Sequence, residues 1–255
     1  MIYIFKGVKL IKYIFLCKNI YYKLMEIISI HQPNYAPWLG YFYKILKSNK
    51  FVFLDDVCFS KNSYTIRTSI FGGDEKKRWL TVPVSFNSGQ QINTIYPTST
   101  DWVPRHIDTL HGLYKNARNF KSVWPDINDI YKKIDISSDL SRQNSELIIE
   151  ISKYLGLECQ FLYSSSLNID GVSDDRLISI INSISKNTIY LSGNGAKKYQ
   201  DLDKFINSNI DLKYTNFVHP FYKQWSPHFQ TGLSILDAIF HLGWKETFEL
   251  LDSTK

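Results

Sequence analysis

The chain has 255 residues, 44% of them hydrophobic and 21% charged, which is enough apolar content to fill one large core. Its formal charge of +6 is concentrated at one end. Lys6, Lys9, Lys12, Lys18 and Lys23, with no Asp or Glu among residues 1–24, leave residues 25–255 close to neutral. That excludes the basic stripe needed to track phosphates, and so a nucleic-acid partner. Cys17, Cys58 and Cys159 are too few and too far apart for a disulfide framework or a zinc knuckle, and fit a reducing cytoplasm.

Residues 1–24 read as a basic, aromatic N-terminal extension. Lysines interrupt every apolar run, so no stretch approaches the roughly 18 uninterrupted residues of a transmembrane segment. No small-residue cleavage site follows, which argues against a signal peptide. Such a segment suits weak contact with an anionic membrane surface. Met25 is the alternative start of translation, because the first strand begins right after it.

Residues 25–250 read as a single α/β domain. EIISIH, 26–31, is a short apolar strand, and Pro33 and Pro37 make NYAPW a turn. LGYFYKILKS, 39–48, has helical spacing, and KFVFLDD is a second strand ending in two carboxylates. Strand, helix and strand at this spacing form a βαβ unit, the start of a parallel sheet. WLTVPVSF, 79–86, reads as a strand, and DWVPRHIDTLHGLYKNA as a helix with Pro104 near its first turn. SELIIEISKYLGL, 145–157, is an amphipathic helix stopped by Gly156. CQFLYSSS, TIYLSG and IDLKYTNF follow as strands, separated by helices over DDRLISIINSISK and AKKYQDLDKFINSN. LSILDAIFHLGW closes the chain as a helix with one apolar face. The pattern predicts a Rossmann-like, mostly parallel sheet with helical insertions.

In open α/β sheets, ligands bind beyond the carboxyl ends of the strands. His31 and Gln32 stand at such an end, followed by Asn34 and by the ring-bearing Tyr35, Trp38 and Tyr41. Histidine can give or take a proton near neutral pH, and two prolines stiffen the loop that carries it. The same loop also suits a rigid aromatic plug over the sheet. Asp55 and Asp56 end the neighbouring strand, where carboxylates grip an amine, sugar hydroxyls or a divalent ion, or simply cap a turn. Ser192, Gly193, Asn194 and Gly195, with Lys197 after them, link a strand to a helix, a place where backbone N–H groups favour an anion. Lys61 and Arg67 follow the second strand and could meet phosphate or carboxylate. Ser234, Asp237 and His241 lack the setting of a nucleophile elbow, so a hydrolase triad is rejected. No metal-ligand spacing emerges, since His106 and His111 are five apart on a helix, and the residues name no cofactor.

Taken together, HQPNYAPWLGYF, FVFLDDV, WLTVPV, YLGL with SSSL, YLSGNGAKKY, HPFYKQWSPHF and LSILDAIFHLG resemble the WbqC-like proteins, from about Ile27 to Gly243. One departure is visible: where the family pattern has an Arg-Asn pair after the second strand, Arg67 is followed here by Thr68. The resemblance implies a place in O-antigen or other surface-polysaccharide biosynthesis, with glycine transfer onto an amino sugar as the suggested activity. On that reading the enzyme is a cytoplasmic aminoacyl transferase acting on a nucleotide-linked amino sugar. His31 would be the base, Asp55 and Asp56 would orient the sugar, and Lys197 with Gly193–Gly195 would hold its diphosphate. Two other readings compete. One is a nucleotidyltransferase-like enzyme, although Gly40-Tyr41 stands where its second histidine belongs. The other is a sugar-nucleotide-binding or assembly component without turnover.

Overall fold

A computed structural model describes residues 25–73, 76–226 and 228–254. The basic extension, with its expected membrane contact, lies outside the described residues. The strands are β1 (Ile27–His31), β2 (Lys50–Phe53), β3 (Arg67–Phe71), β4 (Lys77–Thr81), β5 (Gln160–Tyr163), β6 (Thr188–Ser192) and β7 (Ile210–Tyr214). The helices are α1 (Leu39–Leu46), α2 (Trp102–Tyr114), α3 (Phe120–Lys132), α4 (Leu140–Tyr154), α5 (Ser173–Ile184), α6 (Leu202–Asn207) and α7 (Ile235–Ser253). Five strands form one parallel sheet in the order β5-β2-β1-β6-β7, and β3 and β4 form a separate antiparallel pair. The α/β arrangement expected from the sequence is therefore present, consistent with a Rossmann-like fold. Among the described residues no helix is long and apolar enough to cross a membrane.

Successive side chains of a strand point to opposite faces. Phe51 and Phe53 of β2 join a large core with α1, α2, α3, α4 and α7 on one face. Ile28, Ile30, Val52, Tyr190 and Leu212 turn to the other face, against Ile180 and Ile181 of α5 and Phe205 of α6. Burying a side chain of this size contributes roughly 1.5–3 kcal/mol, so both faces drive folding.

Several elements differ from the sequence pattern. The expected strand 79–86 is shifted to Lys77–Thr81 and pairs with β3, which short polar residues concealed. The helix expected from Ser145 starts at Leu140, where Asp139 Oδ1 accepts the Arg142 N–H at 3.1 Å and supplies the cap. The expected helix over 196–209 is a 3-10 turn, Asn194–Lys198, followed by the short α6. Helix α3 carries Pro125 in its second turn, an interior position where proline normally argues against a helix. The last helix breaks at Gly243, whose φ of 82° lies where a side chain would strain the backbone.

Tyr114 ties these layers together. Its hydroxyl accepts the Phe71 N–H at 3.1 Å and donates to Asp237 Oδ1 at 2.9 Å, and its ring stacks on Phe240 at 4.6 Å. Tyr222 Oη and Gln224 Nε2 donate to the other Asp237 oxygen at 2.8 and 3.1 Å. Replacing Tyr114 by Phe keeps the ring but strands a buried N–H and one Asp237 oxygen. We expect a loss of about 2–3 kcal/mol in urea-induced unfolding, with the fold unchanged.

Candidate functional site

The central strands part company at their carboxyl ends. β1 pairs with β2 through to His31, but with β6 only at Ile27 and Ile28. From β1 the chain passes to β2 on one side, and from β6 to β7 on the other, so the opening lies where the strand order reverses. Two side chains take over from the missing ladder. Ser29 Oγ donates to Leu191 O at 3.0 Å, and Lys44 Nζ, reaching from α1, donates to Ile30 O at 2.8 Å. Beyond them is a crevice of two lobes, about 300 and 570 Å³, that share His31, Lys44, Gly193 and Gly195 in their walls.

His31 lies on one wall, its ring edge-on to Tyr41 at 4.8 Å. Its Nδ1 is 3.0 Å from Gln32 O. A carbonyl only accepts, so Nδ1 carries the hydrogen and Nε2 is left as an acceptor. Burial, aided by the positive charge of Lys44, pushes the imidazole down to about 3 and keeps it neutral. Tyr41 Oη donates to the same Gln32 carbonyl at 2.9 Å, fixing the strand end. Lys44 is 3% exposed, and burial pushes it down to about 7. No sequence motif marked it. The available signal was its company: every other residue from Leu39 to Ile45 is apolar or Gly, and a helix apolar all round is buried.

The HQPNY loop is fastened at several points. Ala36, in a left-handed conformation with φ 37°, presents its carbonyl to Thr68 Oγ1 at 2.9 Å and Ser234 Oγ at 2.7 Å. Asn144 Nδ2 donates to Pro33 O and Thr65 O at 3.0 and 2.7 Å. Ser234 is thereby a helix cap and a loop staple. Tyr35 is buried, and its hydroxyl meets His106 Nδ1 at 2.7 Å and Tyr131 Oη at 2.9 Å. Asn34, Tyr35 and Trp38 line a second cavity of about 300 Å³, beside Tyr64 and Thr68. Trp38 belongs to both cavities, so its indole separates them.

The structure thus gathers His31, Gln32, Trp38, Tyr41, Ser192, Gly193, Asn194 and Gly195 around one crevice. It does not bring Asp55 and Asp56 there, although β1 and β2 are neighbours. Asp55 accepts from Ser164 Oγ, Ser165 N–H and Ser165 Oγ at 3.0, 3.0 and 2.6 Å. Asp56 accepts from Ser164 Oγ and pairs with Arg176 at 2.6 Å. Both carboxyl groups fasten the turn after β5. Asp56 and Arg176 border a separate polar cavity. Lys61 is exposed, and Arg67 stacks on Trp79 with its guanidinium 4.4 Å from the ring centre. Lys197 Nζ sits 5.9 Å from the Tyr214 ring and lines neither lobe.

A Cβ added at Gly40 would lie 2.4–2.7 Å from three carbons of the Trp38 indole. Gly40→Ala should therefore displace the indole and merge or reshape the two cavities, which a crystal structure of the variant would reveal. A second expectation concerns acid. His31 and His106, the latter pushed down to about 4 by burial, titrate below the ordinary value of 6.5. The unfolded chain then binds more protons than the folded one between about 6.5 and 3. The contribution of the two histidines should be full above that window and be lost as pH drops through it. Denaturant midpoints at pH 7.5, 5.5 and 4.5 check this, and His31→Gln should flatten the slope.

The WbqC-like protein family model matches residues 32–249. The uncharacterized protein Rv1507c of Mycobacterium tuberculosis is 29% identical over 222 residues, which cover 86% of this chain and 95% of that protein. No solved structure matches.

Proposed function

We propose, for a chain that belongs to the WbqC-like protein family, a transferase of surface-polysaccharide biosynthesis that places glycine or a similar acyl group on the amine of a nucleotide-linked amino sugar. The observation that supports it is the parted β1–β6 crevice, which combines a neutral imidazole with an open Nε2, an aromatic wall and a buried cation. The acceptor amine attacks only when unprotonated. Its lone pair forms the new amide bond with the acyl carbon, and the bond to the leaving group breaks with its electron pair. The proton shed by the amine goes to His31 Nε2 and on to the departing group, because burial and the Lys44 charge oppose a lasting imidazolium.

Tyr41 and the Gln32 carbonyl hold the imidazole in the tautomer this step needs. The exposed Trp38 offers a ring face to a sugar or base. Asn194 Oδ1 accepts the Asn216 N–H at 2.9 Å, which fixes the glycine loop against the chain after β7. Asp55 and Asp56 act at a distance, by holding the β5 turn.

The assay is incubation of purified protein with amino-sugar nucleotides and activated glycine donors, read by mass spectrometry for the added group. His31→Ala should lower transfer by about 10²-fold or more. Undiminished transfer by that variant would remove the base, and binding without turnover would favour an assembly component.

A further inference from the structure

Lys44 presents a charge problem that the fold leaves unsolved. Its ammonium has three donors and a full positive charge. Ile30 O uses one donor at 2.8 Å, and the Phe51 ring centre lies 5.9 Å away. Among the described residues no carboxylate pairs with it. A buried cation with no counter-ion is costly unless a ligand supplies one or the proton leaves.

The groups facing the two lobes do not supply that counter-ion. They are His31 on β1, Tyr41 on α1, Tyr190 on β6, Tyr199 after it and Asp174 at the head of α5. Asp174 is outside ion-pair reach of Lys44, and its Oδ2 accepts the Asp201 N–H at 2.8 Å. From α7, which packs on α1, Asp252 pairs with Lys47 at 3.3 Å instead. Lys44 nevertheless forms part of both lobes, at the point where the central strands separate.

We propose that Lys44 is the anion-binding residue of the crevice, and that a phosphate group of the substrate is the counter-ion the fold withholds. This rests on the crevice being the sugar-nucleotide site, as proposed above, and not on which group is transferred. It moves phosphate recognition from Lys197 to a buried position. Binding is then coupled to a proton. Burial lowers Lys44 to about 7 in the free protein, so at pH 8 most of it is neutral, and an adjacent anion restores the charge by drawing a proton from solvent.

The test is isothermal titration calorimetry of the full chain at pH 8 in buffers of unlike ionisation enthalpy. Uridine diphosphate, inorganic pyrophosphate and uridine serve as separate titrants. Uridine diphosphate and pyrophosphate should bind, with uptake of about half a proton or more per site. Uridine should bind at least ~10-fold more weakly. Lys44→Met should lose at least ~10-fold in affinity for both anions, together with the proton uptake. Lys44→Arg, whose guanidinium stays charged, should bind both anions without uptake. Lys197→Met should retain wild-type affinity. Thermal unfolding establishes that each variant is folded, and Lys44→Arg carries the test if Lys44→Met is not. The proposal is overturned by absent binding of both anions at millimolar concentration, by unchanged affinity and uptake in Lys44→Met, or by undiminished uptake in Lys44→Arg. Anion binding through Lys44 with no acyl transfer would instead sink the proposed reaction and leave this assignment standing.

Discussion

Two parallel strands that bond along their whole length leave no opening between their ends. β1 and β6 bond only at Ile27 and Ile28, and from Ser29 onward side chains do the work of the backbone. The Ser29 hydroxyl reaches Leu191 O, and the Lys44 ammonium reaches Ile30 O. A buried carbonyl without a partner is expensive, so these two groups stabilise a gap that the sheet would otherwise close or flood. Everything proposed for the crevice depends on that substitution. The lobes exist because the ladder stops, and Lys44 is in them because it replaces the ladder.

The electrostatics follow from the same placement. The amine that satisfies Ile30 O is buried with no acid beside it, and its charge helps to keep His31 neutral. One residue therefore fixes a strand end, reinforces the neutral state that burial gives the neighbouring imidazole and leaves a positive charge unanswered. The paired acids at Asp55 and Asp56 have the opposite fate: three donors from Ser164 and Ser165 and the Arg176 guanidinium engage them. Polar residues here thus divide into a pair engaged by the scaffold, Asp55 and Asp56, and a pair lining the crevice, His31 and Lys44.

The legible parts of this fold are those with a strong period. Apolar runs at 27–31, 50–53 and 188–192 revealed the central strands, and Pro33 and Pro37 marked the turn. What escaped was set by contacts distant in sequence. β3, RTSIF, has few apolar residues and is a strand because β4 and Tyr114 satisfy it. α3 overrides Pro125 by burying Phe120, Val123, Ile127 and Ile130. Lys44 escaped because lysine on a helix usually faces water, and only the apolar ring of neighbours argues otherwise. Asp55 and Asp56 were visible as a pair, but the serines that engage them lie more than a hundred residues away, at 164 and 165.

The fastening of the Ala36 carbonyl bears on how this architecture can change. Thr68 from the hairpin and Ser234 from the start of the last helix grip one oxygen, while Asn144 holds Pro33 from a third direction. The strand, turn and helix of residues 27–46 look like a self-contained cassette in the sequence, yet their shape is imposed by segments that arrive much later in synthesis. Such a loop cannot be grafted onto another sheet with its geometry intact, nor can the last helix be traded away without loosening it. Variation in specificity is then easiest along the glycine loop after β6 and the chain that follows β7, which the Asn194–Asn216 hydrogen bond ties to each other.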